Sequence, residues 1–181
     1  MWLRSLFALG RSACSPTRRL DRPQRRPRLA LELLEERALP SNYTAGSVSD
    51  LIVDINAANQ AGGSNTITLT APTTSPYVLT AVNNSTDGAN GLPVIAQYDN
   101  LTIVGNGDTI ERSPDNVTPA FRLFDVASGS SLTLENLKLQ NGFAVGSGAA
   151  AEGGALYNQG SLVLNGATVA NNQVVGSEGT T

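Results

Sequence analysis

The sequence predicts an all-β solenoid built from short stacked strands, and a near-repeat is the main reason. The segment SLTLENLKLQNG at 131–142 returns about thirty residues later as SLVLNGATVANN at 161–172. Apolar residues alternate in both copies except for one break in phase, at Glu135-Asn136 and at Asn165-Gly166. Because side chains alternate between the two faces of a strand, each copy is two strands that meet at a bend. A fixed period of this length is typical of solenoids, whose coils bury their apolar faces by stacking.

The composition is the second observation that favours this fold class. Charged residues make up 15% of the chain and aromatic residues 5%, whereas 18 of the 181 residues are glycine. Such a composition favours short strands and many turns over long helices. A hydrophobic content of 40% is sufficient for a packed core. We therefore expect a folded β protein.

One helix is predicted before the strands, over residues 47–60. Ser47 and Asp50 have the spacing of a capping box, and Gly62-Gly63 supplies a stop. The apolar residues between them fall at helical spacing on one face. A lone helix in this position is suited to cover the open end of a solenoid.

The strands that follow are short, and several recur with the period of the repeat. Leu101-Thr102-Ile103 precedes Leu132-Thr133-Leu134 by 31 residues, although Gly105-Asn106-Gly107 lengthens the next bend. The predicted strands are Asn65–Leu69, Tyr77–Thr80 and Leu101–Val104, with Phe121–Val126 and Ala155–Tyr157 as a third strand of successive coils. The segments 112–119 and 142–153 are predicted to be loops of variable length on one side. The chain thus holds about three coils.

Charge divides the chain into two parts, which we predict to be separate domains. Residues 1–41 contain nine arginines and four acids, whereas the remainder contains three basic residues and eleven acids. We therefore expect an Arg-rich targeting or sorting segment over 1–45, largely disordered with a short helix, and a β-helix domain over 46–181. The acidic second part is unsuited to nucleic-acid phosphates, so no nucleic-acid partner is expected. No apolar run is long enough for a transmembrane helix.

A short motif in the first part bears on the location of the protein. The sequence RPRLALELLEERALPS, which ends at Ser41, resembles the N-terminal motif of large surface and secreted proteins of planctomycete bacteria. The resemblance covers about 14 residues and implies export or surface sorting. The alternative is a short amphipathic helix that ends at Pro40. We favour sorting, and expect a secreted or cell-surface protein.

Four stretches of the second part carry a resemblance to a known group, namely 55–69, 91–112, 121–142 and 153–172. They resemble the right-handed parallel β-helix proteins of the pectate-lyase-like superfamily. The similarity is to exported bacterial proteins with a CSLREA-type N-terminal region and repeats like those of polymorphic outer membrane proteins. The Cys-Ser-Leu-Arg-Glu-Ala string itself is absent, and Val48–Asp54 holds its place. The resemblance implies a right-handed parallel β-helix with an N-terminal capping helix, and no particular chemistry.

Acidic residues are the only candidates for a catalytic site. The chain has no histidine, and its single cysteine is Cys14. Glycoside hydrolysis needs two carboxyl groups that face each other, and no two acids recur here at the coil period. The candidates are Asp99, Asp108, Glu111, Asp115, Asp125, Glu135 and Glu152, with Arg112 or Arg122 as a cation. We expect them to be solvated surface charges, and assign no catalytic, cofactor-binding or metal-binding residue.

Asparagines recur in the bends and are expected to serve the scaffold. Asn141 and Asn171 occur at equal phase, and Asn136 and Asn165 lie in successive bends. Asparagine tolerates left-handed backbone and can form hydrogen bonds between stacked turns. We expect a structural role for all four.

The expected function is a non-enzymatic surface or secreted β-helix module that serves adhesion, cell-envelope structure or display. Its partner would be a cell-surface polysaccharide or a protein. The alternative is the N-terminal part of a polysaccharide lyase or glycoside hydrolase whose catalytic coils lie beyond Thr181. In either case we expect the chain to be a fragment, with further coils or a partner covering the open C-terminal end.

Overall fold

The computed structural model describes residues 40–146 and 151–176, which form a parallel β-solenoid of about three turns with one helix near the N-terminus. The predicted fold class is therefore confirmed. In chain order the elements are β1 (Ser41–Ala45), α1 (Val48–Ala61), β2 (Gly63–Leu69), β3 (Tyr77–Leu79), β4 (Asp99–Val104), β5 (Thr109–Arg112), β6 (Phe124–Val126), β7 (Ser131–Glu135), β8 (Lys138–Gln140), β9 (Phe143–Gly146), β10 (Leu156–Asn158), β11 (Ser161–Asn165), β12 (Thr168–Ala170) and β13 (Gln173–Gly176).

The strands form four sheets, and every pair of neighbouring strands in them is parallel. Sheet 1 has the order β1-β2-β4-β7-β11, and sheet 2 has the order β3-β5-β8-β12. Sheet 3 pairs β6 with β10, and sheet 4 pairs β9 with β13. From β7 onward the chain visits sheets 1, 2, 4 and 3 in turn and returns to sheet 1 one strand further along. The coil that begins at β4 lacks the strand in sheet 4, and the coil that begins at β2 has strands only in sheets 1 and 2. Each such circuit is one coil.

The stacking register reproduces the repeat in the sequence. Leu132 pairs with Leu162 and Leu134 with Leu164, so the two copies lie directly on one another. Leu101 pairs with Leu132 in the same way, which confirms the third, upstream copy. Because register is preserved, each inward position of one coil lies over the same position of the next.

The inward positions form the core. In sheet 1, Ile67, Ile103 and Leu134 are in register and are fully buried. In sheet 2, the equivalent column is Tyr77, Ile110 and Leu139. Between the sheets, aromatic side chains that include Phe121 and Phe124 complete the interior. The core is thus a continuous stack of apolar side chains. This is expected for a solenoid, because a coil can bury its apolar side chains only against the neighbouring coils.

Left-handed backbone at asparagine and glycine makes the bends between sheets 1 and 2. Asn136 has φ 48° and Gly166 has φ 63°, at the two positions where the apolar phase breaks. In the longer bend of the preceding coil, Asn106 (φ 53°) and Gly107 (φ 92°) also have positive φ angles. Asparagine and glycine adopt this conformation at lower cost than other residues. The expectation that asparagines serve the bends is therefore supported at these positions.

Helix α1 covers the N-terminal end of the core. The Oγ of Ser47 accepts a hydrogen bond from the backbone N–H of Asp50 at 3.2 Å, and Gly62 ends the helix with φ 62°. Leu51 and Ile55 lie on its inner face and are fully buried. The helix packs against β1, β2, β3 and β4. The predicted capping helix over 47–60 is thus confirmed within one residue.

Three strands were not anticipated from the sequence. β1 pairs with β2 at the N-terminal edge of sheet 1, and β9 and β13 extend successive coils beyond sheet 2. β9 lies in the segment that was predicted to be a loop over 142–153, and part of that segment lies outside the described residues.

The predicted disordered segment and the sorting motif lie almost wholly in residues 1–39, which are also outside the described residues. Within the described residues, no helix is long and apolar enough to cross a membrane.

Close stacking of bends gives the first prediction, a substitution at Gly105. A Cβ at this position would lie 2.7 Å from the Asn136 carbonyl oxygen and 2.7 Å from the Leu137 Cβ in the next coil. Gly105→Ala should therefore lower the free energy of unfolding by about 1–3 kcal/mol, because the coils must move apart. Chemical unfolding followed by circular dichroism measures this loss.

The matched control is Gly176→Ala in β13, where an added Cβ meets no atom within 4 Å. It should change the free energy of unfolding by less than about 0.5 kcal/mol. Equal losses in the two variants would contradict close contact between the bends.

Candidate functional site

The outer surface of sheet 1 carries mainly uncharged polar side chains in register, apart from Val104 and Glu135, and we call it the hydroxyl face. It consists of the outward residues of β2, β4 and β7, namely Ser64, Thr66, Thr68, Asn100, Thr102, Val104, Ser131, Thr133 and Glu135. Thr66, Thr102 and Thr133 form one column across three coils. Ser64, Asn100 and Ser131 form the next column, in which the Ser131 hydroxyl donates to Asn100 Oδ1 at 2.8 Å.

The geometry of a parallel sheet fixes the spacing of these groups. Neighbouring strands lie about 4.8 Å apart, and alternate residues along a strand lie about 6.6 Å apart. A threonine hydroxyl both donates and accepts hydrogen bonds. The hydroxyl face is therefore a regular lattice of donors and acceptors, on which the carboxylate of Glu135 is the only charge. It can form hydrogen bonds with a ligand that has repeating neutral polar groups.

A second polar group is buried behind the segment 83–91, on the outer side of sheet 3. Arg122 and Asp125 are both fully buried. The Asp125 Oδ2 accepts a hydrogen bond from Asn90 Nδ2 at 3.2 Å, and Arg122 Nη2 donates to the Asp87 carbonyl oxygen at 2.7 Å. The guanidinium of Arg122 lies over the ring of Tyr157, 4.8 Å from its centre. This buried polar cluster fastens a long loop of one coil to the next two coils.

The surroundings of the buried polar cluster raise the pKa of its carboxyl group. Burial raises the pKa of Asp125 above its ordinary value of 3.8, and the negative charge of Asp87 raises it further. The positive charge of Arg122 and the hydrogen bond from Asn90 lower the pKa of Asp125 and oppose this effect. Burial also lowers the pKa of Arg122. Each charge is therefore costly by itself and depends on the other for compensation.

Two further acidic candidates are buried as well. Asp99 is 0% exposed, and its Oδ1 accepts a hydrogen bond from Asn65 Nδ2 at 2.9 Å. Asp108, in the bend after β4, is 1% exposed. Burial raises the pKa of both carboxyl groups. The expectation that the candidates are solvated charges is therefore wrong for Asp99, Asp108, Asp125 and Arg122, because other coils cover them.

Glu111 lies on the outer side of sheet 2 and Arg112 ends β5, and both have protein partners. Glu111 Oε2 accepts hydrogen bonds from Gln140 Nε2 and from Asn141 Nδ2, which belong to the next coil. Arg112 donates to the carbonyl oxygens of Pro119 at 2.7 Å and Thr118 at 2.6 Å, and so holds the loop after β5. Both residues thus stabilise contacts within the solenoid.

The remaining acidic candidates lie apart from one another. Asp115 accepts a hydrogen bond from the Ser113 hydroxyl at 3.0 Å in the loop after β5. Glu135 ends β7 on the hydroxyl face, and Glu152 is exposed in the segment before β10. In residues 40–146 and 151–176, no group of three or more acidic, histidine or cysteine side chains is arranged to hold a metal ion.

Three clefts open on the surface of the described residues. One, about 410 Å³, lies between the start of α1 and the chain from Val78 to Asn83. Another, about 360 Å³, lies between residues 46–48 and 71–78. The third, about 160 Å³, lies on the sheet 2 side and is lined by Arg112, Phe143, Asn171 and other residues. The candidate catalytic acids line none of these three clefts. The hydroxyl face repeats with the coil, and so does the outer side of sheet 2, where Thr109, Lys138 and Thr168 are in register.

Comparisons with known proteins identify no relative. No family model, no curated protein and no solved structure matches the chain.

The hydroxyl face has a signal in the sequence, whereas the buried polar cluster has none. Thr102 and Thr133 each lie between two apolar residues at the start of the coil pattern, so their alignment follows from the repeat, and Thr66 precedes Ile67 in the same way. The burial of Arg122 and Asp125 depends on a loop that arrives from another coil. A single sequence does not place that loop.

The buried polar cluster gives the second prediction. Replacement of Arg122 by Met should lower the free energy of unfolding by about 3–5 kcal/mol at neutral pH, because Asp125 is left as an uncompensated buried charge. The double variant Arg122→Met/Asp125→Asn should lose less than the single variant. Urea unfolding of Arg122→Met, of Asp125→Asn and of the double variant gives the coupling energy directly.

The pH dependence of the Arg122→Met variant follows from the sign of the pKa shift. Without Arg122 the pKa of Asp125 rises further above 3.8, so the folded state binds the proton at a higher pH than the unfolded state does. The lost stability should therefore partly return as pH falls from neutral towards 4. The double variant should lack this recovery. Lys138→Met on the outer side of sheet 2 is the control, and an equal loss in it would refute the cluster's role.

Proposed function

We propose that this protein is an exported, non-enzymatic β-helix module that acts at the cell surface or in secreted form, and that it adheres to polysaccharide through the hydroxyl face. Cell-envelope structure and display are the related roles of such a module. The observation that carries the proposal is the in-register column of Thr66, Thr102 and Thr133 on a sheet that spans all coils.

The sequence resemblance supports the family part of the proposal. The segments 55–69, 91–112, 121–142 and 153–172 resemble exported right-handed β-helix proteins of the pectate-lyase-like superfamily. Each segment contains strands of the solenoid, so the resemblance follows the coils. The motif that ends at Ser41 resembles planctomycete sorting motifs and supports export. The chain is proposed to be a member of this group.

The positions of the acids support a non-enzymatic role. Asp99, Asp108 and Asp125 are at most 1% exposed, so a polysaccharide at the surface does not reach them. Glu111 is held by Gln140 and Asn141. Hydrolysis by the usual pair of carboxyl groups requires both groups to face one open space. The described acids are instead distributed over separate faces and bends.

The chemistry of the hydroxyl face supports a polysaccharide as the ligand. A polysaccharide presents neutral hydroxyl groups at a constant repeat, and its extended chain can follow several coils. Threonine, serine and asparagine side chains complement such groups as both donors and acceptors. Because each contact is weak, affinity depends on the number of coils that take part. A stacked array is therefore a suitable adhesive surface.

The third prediction tests the hydroxyl face by isosteric change. The triple variant Thr66→Val/Thr102→Val/Thr133→Val keeps β-branched side chains in the strands and removes three hydroxyl groups. It should bind insoluble neutral polysaccharides, such as cellulose or agarose, at least about tenfold more weakly than the unchanged chain. Co-sedimentation with the washed polysaccharide measures the bound fraction.

The control for this experiment is Thr109→Val/Thr168→Val, which makes the same change on the outer side of sheet 2. It should bind like the unchanged chain, and both variants should keep the same circular dichroism spectrum. Equal weakening by both variants would refute the hydroxyl face as the contact. Release of reducing or unsaturated sugar ends by the purified chain would overturn the non-enzymatic role and support the lyase or hydrolase alternative.

The fourth prediction tests export. Residues 1–45 fused to a fluorescent reporter should carry it out of the cytoplasm of a planctomycete host, because the motif that ends at Ser41 is proposed to be a sorting signal. Protease added to intact cells should then degrade the reporter. A fusion in which 26–41 is scrambled at constant composition should remain protected. Equal protection of both fusions would contradict surface sorting.

A further inference from the structure

Tyr98 is an exposed aromatic residue at the border of the hydroxyl face, two positions before Asn100 in the chain. Its side chain is 73% exposed. Among residues 40–146 and 151–176, it is the only aromatic residue that is mainly exposed to solvent. The strand that it precedes, β4, lies between β2 and β7 in sheet 1, so coils are stacked on both sides of Tyr98. The exposure of the ring is therefore set by a complete local stack.

The backbone of Tyr98 has a conformation that suits glycine. Its φ is 71°, in the left-handed region, where a Cβ is unfavourable. The equivalent residues in the neighbouring coils are Gly62, with φ 62°, and Gly129, with φ 79°. The Gly63 N–H donates to the Tyr98 carbonyl oxygen at 3.1 Å, and the Tyr98 N–H donates to the Gly129 carbonyl oxygen at 3.2 Å. The bend before sheet 1 thus requires a left-handed residue, and this coil has tyrosine where its neighbours have glycine.

Packing within the solenoid does not account for this tyrosine. A buried aromatic ring would offset the backbone strain through apolar contacts, but most of the Tyr98 side chain lies in solvent. Strained residues that folding does not favour are concentrated at functional sites. The ring is therefore placed for a contact outside the solenoid.

The surroundings of the ring are small and polar. Gly62 and Gly129 carry no side chain that could cover it. The side chain of Gln97 lies over Gly129, where an added Cβ would be 3.2 Å from Gln97 Nε2. Its amide can both donate and accept hydrogen bonds, as can the side chain of Asn100 on the other side of Tyr98. An apolar ring is thus bordered by neutral groups that form hydrogen bonds.

A sugar ring with equatorial hydroxyl groups has the complementary chemistry. Each face of such a pyranose presents C–H bonds, whose hydrogens are attracted to the negative face of an aromatic ring. The hydroxyl groups at its rim are directed towards neighbouring polar side chains. A β-1,4-linked glucan repeats this flat ring along an extended chain. A polyanion is less suited, because residues 42–181 contain eleven acids and three basic residues.

We propose that Tyr98 is a stacking platform beside the hydroxyl face, and that the ligand is a neutral β-1,4-linked glucan whose sugar ring lies flat on the tyrosine. This inference rests on the proposed adhesion to polysaccharide and names its substrate class. The neighbouring column of Ser64, Asn100 and Ser131 binds the hydroxyl groups of the same glucan chain.

The fifth prediction separates a ligand contact from a structural role at Tyr98, and is measured on the full 181-residue chain. Tyr98→Gly should bind cellulose at least about tenfold more weakly in co-sedimentation, because the ring contact is lost. Its urea unfolding midpoint should be equal to or higher than that of the unchanged chain, because glycine relieves the strain at φ 71°. Tyr98→Phe, which keeps the ring, should bind like the unchanged chain.

The matched control is Val117→Ala, which shortens a loop side chain that is 91% exposed. It should change neither cellulose binding nor the unfolding midpoint. Equal binding by Tyr98→Gly and the unchanged chain would overturn the platform. If Thr66→Val/Thr102→Val/Thr133→Val still weakened binding in that case, the proposed adhesion would stand without it.

The substrate class is tested with two soluble oligosaccharides that differ only in linkage. In a Trp2→Phe background, Tyr98→Trp puts the single tryptophan of the chain at the platform. Cellohexaose should shift its fluorescence to shorter wavelength, because the sugar ring displaces water from the indole. Maltohexaose, whose α-1,4 linkage gives a curved chain, should require at least about tenfold higher concentration for the same shift.

An equal response to the two hexaoses would refute the assignment to β-1,4-linked glucans. An unchanged chain that binds no polysaccharide, together with a Tyr98→Trp variant that responds to neither hexaose, would refute both the adhesion and the platform. A response of the Tyr98→Trp variant to cellohexaose alone, with cellulose binding unaffected by the triple threonine change, would support the platform and refute the threonine column as a contact.

Discussion

The in-register stacking of parallel strands is the constraint on which the rest of this structure depends. One column of the core contains Leu101, Leu132 and Leu162. The register that aligns these three leucines also aligns the other positions of sheet 1 from coil to coil. Stacking supplies both the backbone hydrogen bonds of the sheets and the apolar contacts of the core. A single coil has neither, so no coil is stable without its neighbours. The same register that buries leucine on the inner side aligns threonine on the outer side. Scaffold and candidate binding surface are therefore two faces of one periodicity.

The bends are the points at which stacking limits the sequence most. Each turn from sheet 1 to sheet 2 must fit beneath the next turn at the distance of a hydrogen bond. Asn136 shows this directly, because its N–H donates to the Asn165 carbonyl oxygen at 2.8 Å and its own carbonyl accepts from the Gly107 N–H at 2.7 Å. Left-handed backbone at asparagine and glycine aims these groups along the solenoid axis. The bend residues are therefore selected for backbone geometry, which explains why they recur without forming a site.

Sequence and structure agree wherever the repeat itself carries the information. The columns that contain Leu132 and Leu139 follow from a local alternation and a fixed period, so they could be read from one chain. β1 could not, because Ser-Asn-Tyr-Thr-Ala has little apolar character and pairs with a strand that lies beyond the helix. The buried state of Arg122 could not either. It is set by the segment 83–91, whose path depends on tertiary contacts. Periodic contacts were thus predictable, and the contacts made by insertions were not.

The candidate site follows from a repeat that carries few charges. Residues from 153 to 176 contain no charge, and on the hydroxyl face only Glu135 is charged. A neutral outer face can lie against a neutral polysaccharide, because no charge must be desolvated without compensation. Since weak contacts on one ligand reinforce each other, affinity for a long polysaccharide should grow with the number of coils that the polysaccharide contacts.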